Sequence, residues 1–396
     1  MDVEAFLADP SGLRRALDLL VGRPAASPWT LGEGLPEAGI GALEALEVLA
    51  SPVLGHSRDL GSPGFFAHMD PPTPWITWAL SMWTASRNQN LLHPDTAPTA
   101  RALEETVVAW LAPSFGMSGG HMTPGSSIAN LTALWAAREA GAREVVASVD
   151  AHLSIKKGAH LLGLPLRLVD DWRWPGEVAS SAVVVTAGTT SSGEVEPLDA
   201  ADGARWRHVD AAWAGPLRLS ERHRHLLEGI EGFDSVSISA HKWMFQPKES
   251  ALVLFKDHVA AHDSISVEGA YLAVPNVGVL GSHGATAAHL LATLLAFGRS
   301  GLAGSIERCM ELAEELHGLV EAHAELVARS RPHTGVVCWR HRTVPPETLL
   351  RHLPPDVFVS STVIAGAPWL RSVSANPLAD PRLVVDGVLA AAAVAS

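Results

Sequence analysis

The sequence predicts an α/β protein with a large, mainly parallel sheet and a second, smaller α+β domain. The chain has 396 residues, of which 47% are hydrophobic, so it can bury a large core. Short apolar runs alternate with helix-like segments over about 150 residues in the middle of the chain. After Gly301 this alternation gives way to a long amphipathic stretch and further strand-like pieces.

The central strands are predicted from apolar runs that small or polar residues bound. Short runs of this kind are typical of strands that helices cover on both faces of a parallel sheet. We expect strands at Val145–Val149, Leu164–Val169, Ala182–Thr186, Trp206–Val209, Val236–Ser239 and Ala251–Phe255. Helical spacing predicts helices over Thr99–Leu111, where Leu103, Val107, Trp110 and Leu111 share a face, and over Ile155–Leu162.

The C-terminal third is predicted to contain a long helix over Ile306–His323, two strands and a terminal helix. The strands are Val336–Arg340 and Val357–Ser361, and the last helix begins beyond Pro381. Three domains follow from this pattern: an N-terminal helical extension over 1–63, a large α/β domain over 64–300 and a small α+β domain over 301–396.

Composition excludes several classes of protein. The chain has 29 Lys and Arg against 42 Asp and Glu, a net charge of −13, which disfavours binding to a nucleic-acid backbone. Two cysteines exclude a disulfide framework, and no apolar run of about 18 residues predicts a membrane span. The start, MDVEAFLADP, does not resemble a secretory leader, so we expect a cytoplasmic enzyme. His223 and His225 lack a third ligand nearby, so we expect no metal site.

The turn Thr123–Ser127 is the first candidate site. Its small residues lead into a helix, and backbone N–H groups at a helix N-terminus bind anions such as phosphate. The same pattern is typical of an ordinary helix cap, so this turn by itself leaves both interpretations open.

Three further side chains lie at the ends of predicted strands, where open α/β sheets bind ligands. Asp210 ends one strand and His152 follows another, although a helix-capping aspartate or a structural histidine would fit the same positions. Lys242 is one of only five lysines and lies between His241 and Trp243. Burial removes the charge of a lysine unless it is paired or used, so this position favours a functional amine over one that reaches solvent.

Together these groups are the parts that a pyridoxal 5′-phosphate (PLP) site requires. A lysine holds the aldehyde as a Schiff base. An aspartate keeps the pyridine nitrogen protonated, so that the ring accepts electrons from the substrate carbon. The turn supplies a phosphate site, and the histidine supplies a face that stacks on the ring.

The stretch HVDAAWAGPLRLSERHRHLLEGIEGFDSVSISAHKW closely resembles the group II pyridoxal-phosphate-dependent decarboxylases, which include glutamate, cysteine sulfinate and aromatic amino acid decarboxylases. The resemblance runs from about Gly64 to the C-terminus. It also covers, in order, the segments SPGFFAHM, ASRNQN, TARALEETVVAWL, AHLSIKKGAHLLG, VVVTAGTTSSGEVEPL and WLRSVSANP. It implies the fold-type-I PLP-dependent transferase fold, similar to that of aspartate aminotransferase.

The resemblance also implies roles for individual residues. Lys242 would form the Schiff base, Asp210 would pair with the pyridine nitrogen, and His152 would stack on the ring and count among the catalytic residues. The phosphate contacts implied are Ser126, Ser127 and His241.

The same resemblance places two further groups at the cofactor and one at the substrate. Thr189 or Thr190 would lie near the ring, and Ala212 would contact the cofactor. Arg371 would bind the substrate carboxylate, which suits its bidentate guanidinium group.

Two segments depart from the common family pattern. The phosphate turn reads TPGSSIAN where many members read TSGGSEAN, and Pro124 and Ile128 are similar to the glutamate and cysteine sulfinate branch. The segment VEGAYLAVPNVGVLGSHGATAA replaces the longer basic run of many members.

Tyr271 is the only tyrosine and lies between Gly269 and Pro275, 29 residues after Lys242. The resemblance implies that a tyrosine on a loop after the lysine protonates Cα from the neighbouring subunit. Two alternatives stay open: Tyr271 begins a strand, or His283 is the proton donor.

The predicted activity is therefore PLP-dependent α-decarboxylation of an L-amino acid to the amine and CO2 in a homodimer with its active site at the subunit interface. Decarboxylation-dependent transamination or elimination on the same scaffold, or PLP binding without catalysis, are the alternatives. The sequence does not name the amino acid.

Overall fold

The computed structural model describes residues 7–28, 30, 34–170, 172–174, 176–199, 202–270, 272 and 275–395. The chain forms two compact units, one ending at Asp59 and one beginning at Leu60. The first contains helices α1 (Pro10–Gly22) and α2 (Ala42–Ala50). The second contains every other element described below, and the predicted domain limits at 63 and 300 stay predictions.

A seven-stranded sheet forms the centre of the second unit. In chain order its strands are β1 (Gly119–Thr123), β2 (Glu144–Ser148), β3 (Leu166–Val169), β4 (Ser181–Thr186), β5 (Trp206–Asp210), β6 (Ser235–Ile238) and β7 (Ala251–Phe255). The spatial order is β1-β7-β6-β5-β4-β2-β3, and only β7 runs antiparallel to its neighbours. The carboxyl ends of the other six strands therefore lie at one edge of the sheet.

Helices cover both faces of this sheet, as the continuous apolar runs predict. Successive side chains of a strand point to opposite faces. Val183 and Val185 accordingly pack in one core cluster, and Ala182 and Val184 pack in another. The surrounding helices are α3 (Trp75–Arg87), α4 (Ala100–Leu111), α5 (Ser126–Glu139), α6 (Leu153–Leu161) and α7 (His258–Ser264).

Beyond the sheet, a short pair of strands, β8 (Ser266–Val267) and β9 (Asn276–Val277), precedes α8 (Ala287–Ala322). A kink divides α8 at Gly298, whose φ of 61° suits glycine. An antiparallel sheet of order β10-β11-β13-β12 follows, built from β10 (Leu326–Ala328), β11 (Val336–His341), β12 (Ser360–Ile364) and β13 (Ala367–Val373). Helices α9 (Pro346–His352) and α10 (Pro381–Ala395) complete the chain.

Several local expectations differ from the structure. The expected strand Val357–Ser361 begins later, at Ser360, and the helix expected over Ile306–His323 is only the second half of α8. Trp110 is 52% exposed although the apolar face of α4 buries Val107 and Leu111. Helical spacing predicts that Trp110 shares this face, but it lies at the edge of the face and remains partly exposed to solvent.

Two buried tryptophans connect the large sheet to the smaller one. The rings of Trp213 and Trp243 stack with centroids 4.0 Å apart. Nε1 of Trp213 donates to the carbonyl oxygen of Thr334 at 2.6 Å, and Nε1 of Trp243 donates to that of Ser374 at 3.0 Å. The turns after β5 and β6 are thereby anchored to the segments that flank β11 and β13.

Candidate active site

Asp210 is the last residue of β5 and is only 4% exposed. Its Oδ2 accepts a hydrogen bond from Nδ2 of Asn130 at 2.8 Å, and its Oδ1 accepts one from the backbone N–H of Ala212 at 3.1 Å. Among the ion pairs of the described residues, none includes Asp210. A buried carboxylate needs a partner, and a cationic ligand group such as a protonated pyridine nitrogen would supply one.

Asn130, on α5, organises the polar groups behind Asp210. Its Oδ1 accepts from Nε2 of His208 at 3.0 Å and from the hydroxyl of Ser237. Burial lowers the pKa of His208 to about 4, so this imidazole is neutral and donates through Nε2. Sequence reasoning missed both Asn130 and His208. The only signal for Asn130 was its place at the end of the quoted segment TPGSSIAN.

His152 is the N-cap of α6, just beyond the end of β2. Its Nδ1 accepts from the backbone N–H of Ser154 at 3.2 Å and faces the Ser154 hydroxyl at 2.8 Å. That hydroxyl accepts from Nδ2 of Asn130, so Asn130 connects His152 to Asp210. Burial lowers the pKa of His152, and the charge of Asp210 offsets part of that shift. The imidazole is therefore uncharged, with its proton on Nε2, and suits stacking on a planar ring.

Lys242 lies in the turn after β6, at the same edge of the sheet. Within the described part of the chain, its Nζ has no hydrogen-bond or ion-pair partner. Burial lowers the pKa of Lys242, the charge of Asp210 offsets part of that shift, and Arg371 adds to it. An amine with a lowered pKa is a competent nucleophile toward an aldehyde.

The predicted phosphate turn leads directly into α5. Gly125 precedes the helix with a φ of 116°, and the hydroxyl of Ser126 accepts from Ser239 at 2.9 Å, whereas Ser127 is exposed. Burial lowers the pKa of His241 to about 4, and its buried Nδ1 has no hydrogen-bond partner among the described residues. A Cβ at Gly125 would lie 3.7 Å from Cε1 of His241, so the imidazole faces the helix N-terminus. An unsatisfied ring nitrogen beside a helix N-terminus fits a phosphate group.

Thr189 and Arg371 lie on segments that contact each other. The Thr189 hydroxyl is buried and accepts from the backbone N–H of Glu194 at 3.2 Å. Nε of Arg371, on β13, donates to the carbonyl oxygen of Thr190 at 2.7 Å. Burial lowers the pKa of Arg371, a residue that is only 7% exposed. The sequence did not predict strand β13, which carries this arginine.

The structure describes only one of the two candidate proton donors. Tyr271 lies outside the described residues. His283 lines a cavity of about 360 Å³ whose wall also includes Glu104, His121 and His262. None of the predicted cofactor residues lines that cavity.

Two further properties of the described residues concern metal binding and membranes. They contain no cluster of three or more His, Cys, Asp or Glu side chains arranged to hold a metal ion. They also contain no helix with the length and apolar character needed to cross a bilayer.

Comparison with known proteins identifies the family. The profile described as "Pyridoxal-dependent decarboxylase conserved domain" matches residues 48–173 and 176–342, more than half of the chain. An L-2,4-diaminobutyrate decarboxylase from Rhizobium meliloti is 31% identical over 357 residues, which cover 78% of this chain and 70% of the relative. The cysteine sulfinic acid decarboxylase of Homo sapiens is 32% identical over 244 residues, 52% of this chain and half of the relative's length.

A solved structure supports the same fold. Mouse CSAD in its apo form superposes with a TM-score of 0.84 at 23% identity, over 98% of both chains. The matches confirm the predicted fold-type-I architecture, PLP as the cofactor and amino acid decarboxylation as the class of reaction. This chain belongs to the pyridoxal-dependent decarboxylase family.

Proposed function

We propose that this protein uses PLP to remove the α-carboxyl group of an L-amino acid as CO2 and to release the amine. Two side chains carry the proposal: Lys242, a half-buried residue whose Nζ has no hydrogen-bond or ion-pair partner among the described residues, and Asp210, a buried carboxylate. Both lie at the carboxyl edge of one sheet, and Asn130 connects Asp210 to His152.

The residues present fit the cofactor. Lys242 would hold its aldehyde carbon, Asp210 its pyridine nitrogen and His152 one face of its ring. Ser126, Ser127 and His241 would hold the phosphate, while Ala212 and Thr189 would flank the ring. When bound, PLP supplies the conjugated ring that takes up the electron pair released as the Cα–carboxylate bond breaks.

The protein's own groups would then control orientation and protonation. Arg371 would bind the substrate carboxylate through the guanidinium nitrogens that Thr190 does not occupy, and so fix the bond that breaks. Tyr271 would return a proton to Cα, since a phenol of ordinary pKa about 10 can protonate a strongly basic carbanion. His283 is the weaker candidate, because it lines a cavity that the cofactor residues do not share.

A panel of amino acids tests the reaction. The holoenzyme should release CO2 and the matching amine in equal amounts from at least one L-amino acid. Carbonyl product with loss of cofactor would indicate decarboxylation-dependent transamination instead, and ammonia release without CO2 would indicate elimination. No turnover across the panel, with PLP bound, would support binding without catalysis.

Asp210→Asn tests the site itself. An asparagine cannot keep the pyridine nitrogen protonated, so the rate of the chemical step should fall far more than PLP affinity. Glu144→Gln is the control. Glu144 is the first residue of β2, so its side chain lies at the edge of the sheet opposite to the candidate cofactor residues. A wild-type rate in Asp210→Asn would refute the role.

We further propose that the enzyme is a homodimer, with the exposed face of α3 as part of its interface. Trp75, Trp78 and Trp83 are 70%, 48% and 61% exposed, and adjacent large aromatic residues of this kind are typical of contact surfaces. Light scattering should give twice the chain mass for the wild type and a monomer for Trp83→Asp. A wild-type monomer would refute the proposal. A cytoplasmic location stays a prediction from the sequence.

A further inference from the structure

A chain of hydrogen-bonded side chains leads through the interior to His152, and none of the roles above requires it. Its links are 2.8 to 3.0 Å long, and its members in order are Trp206, Ser235, His208, Asn130, Ser154 and His152. The four members in the middle are almost completely buried. Buried donors and acceptors need partners of the opposite kind, so the direction of each bond follows from the groups at the ends.

Trp206, the first residue of β5, fixes the direction at one end. Its indole N–H can only donate, and it donates to the Ser235 hydroxyl at 2.8 Å. Ser235 is the sheet partner of His208, and its hydroxyl hydrogen is then available to Nδ1 of His208 at 2.9 Å. Because Nδ1 accepts, the neutral His208 carries its proton on Nε2. That nitrogen lies 3.0 Å from Oδ1 of Asn130 and donates to it.

Asp210 fixes the same direction from the opposite side. A carboxylate only accepts, so the atom of Asn130 that lies 2.8 Å from its Oδ2 is the amide nitrogen. The amide oxygen of Asn130 then faces His208 and the hydroxyl of Ser237, and both of these groups donate to it. Two independent ends of the network therefore give the same orientation of the Asn130 amide.

The second amide hydrogen of Asn130 determines what Ser154 can do. The amide nitrogen donates to the Ser154 hydroxyl oxygen at 2.9 Å, which leaves the single hydroxyl hydrogen for another acceptor. Nδ1 of His152 lies 2.8 Å from that oxygen and also accepts the backbone N–H of Ser154 at 3.2 Å. The hydroxyl therefore donates to Nδ1 as well, and the imidazole proton stays on Nε2. A proton on Nδ1 would point at two donors.

The charges around His152 come from three elements. Burial lowers the pKa of His152; the charge of Asp210 opposes this shift, whereas those of Lys242, after β6, and Lys157, on α6, add to it. These charges act on the ring as a whole. The choice between its two nitrogens is made by the hydrogen bonds with Ser154.

We propose that Asn130 is a positioning residue for His152: through Ser154 it holds the imidazole as the uncharged tautomer with its proton on Nε2. The same amide nitrogen holds Asp210, so one side chain orients both the ring proposed to stack on the cofactor and the carboxylate proposed to pair with its nitrogen. The inference rests on these proposed roles. It assigns Asn130 no contact with substrate or cofactor.

The protonation of His152, measured with and without bound PLP, tests this inference. Two-bond 15N–1H correlation spectra of histidine-labelled protein distinguish a protonated from an unprotonated ring nitrogen, and the signals missing from His152→Ala identify this ring. In the wild type, Nδ1 should be unprotonated and Nε2 protonated at neutral pH. In Asn130→Ala the Ser154 hydroxyl can turn and accept, so the pKa of His152 should rise by at least about 0.5.

Thr132→Val is the matched control, because it removes another buried polar group from the same helix. Thr132 lies two residues after Asn130, is equally buried, and its hydroxyl donates within α5 to the carbonyl oxygen of Ile128 at 2.8 Å. The titration of His152 should be the same in Thr132→Val as in the wild type. A shift in this control as large as that in Asn130→Ala would overturn the inference.

A double-mutant cycle with Ser154→Ala separates the chain from an effect through Asp210. Asn130→Ala should shift the pKa of His152 less than about half as much when Ser154 is already alanine. An equal shift in both backgrounds, or no shift in Asn130→Ala, overturns the inference and leaves the proposed function intact. Should Asn130→Ala not fold, Ser154→Ala alone should raise the pKa of His152, and an unchanged titration in that variant would overturn the inference.

The dissociation constant of PLP shows whether the cofactor site uses the oriented ring. It should be higher in His152→Ala than in the wild type. An equal constant would overturn the stacking role and this inference together. The reaction itself is tested separately by the amino acid panel, since the titration of His152 does not depend on turnover.

Discussion

Replacing Glu196 with glutamine should remove a loss of stability that the wild type suffers as the pH rises. Glu196 follows β4, and its Oε2 accepts the backbone N–H of Thr186 at 2.8 Å. Burial raises the pKa of this carboxyl group in the folded state to about 7, whereas the ordinary value is 4.5. Because the unfolded chain binds fewer protons between these two values, the free energy of unfolding falls with pH across that window. Below about pH 4.5 the side chain is neutral in both the folded and the unfolded state, so its titration does not change the free energy of unfolding.

The size of the effect follows from the two pKa values. The full difference corresponds to about 3 kcal/mol, at ~1.36 kcal/mol for each pKa unit. Between pH 5 and pH 8 the wild type should lose about 2.5 kcal/mol that Glu196→Gln keeps. Glu196 is almost completely buried, so solvent screens little of this cost.

Calorimetric melting of the PLP-saturated proteins at pH 5 and pH 8 measures the difference. The melting temperature of Glu196→Gln relative to the wild type should rise by a few degrees between the two conditions. Glu144→Gln is the matched control: its carboxyl group lies on the neighbouring strand β2 and pairs with Arg167 at 2.7 Å, and its melting temperature relative to the wild type should be the same in both conditions. A constant offset between Glu196→Gln and the wild type at both pH values would refute the reasoning.

Three other substitutions test the site and its support. Lys242→Ala should lose nearly all turnover, and borohydride should no longer fix the cofactor covalently to the protein; covalent labelling of that variant would show that another amine is used. Tyr271→Phe should consume substrate but yield less amine and more carbonyl product, with inactivation that added PLP reverses; an unchanged product ratio would move the search to His283. Trp243→Ala should lower the free energy of unfolding by about 3–5 kcal/mol, measured by denaturant titration, because it empties a fully buried site and removes the Trp213 stack; a loss below about 1 kcal/mol would contradict the packing.

The central strands could be predicted because burial on both faces makes them continuous apolar runs. Strand β7 matches its prediction, Ala251–Phe255, residue for residue, and β4 begins one residue early at Ser181. The same logic singled out Asp210 and Lys242 as candidate site residues, because polar residues that closely follow such a run are unusual. Strands β1 and β13 were not predicted. Strand β1 (Gly119–Thr123) begins with two glycines, and strand β13 (Ala367–Val373) mixes polar and apolar residues.

The polar connections of the site could not be predicted in the same way. Asn130 is one polar residue within a helix, and its sequence context gives no sign of its hydrogen bonds to Asp210, 80 residues away, or to His208. Glu196 likewise reads as an ordinary charged residue after a turn. Both depend on how elements that are distant in the chain pack together, which a local pattern does not contain.

The stacked indoles limit how substrate can reach Lys242. Trp213 and Trp243 join the turns at the cofactor edge to the carbonyl groups of Thr334 and Ser374, which flank strands of the small sheet. Opening a cleft between the two sheets by a hinge would break both indole hydrogen bonds and expose two large aromatic surfaces to water. Because of that cost, we expect that substrate does not enter through a hinge opening between the two sheets. Entry and product release should instead be governed by peripheral loops, which can be exchanged to alter substrate choice without disturbing the lysine.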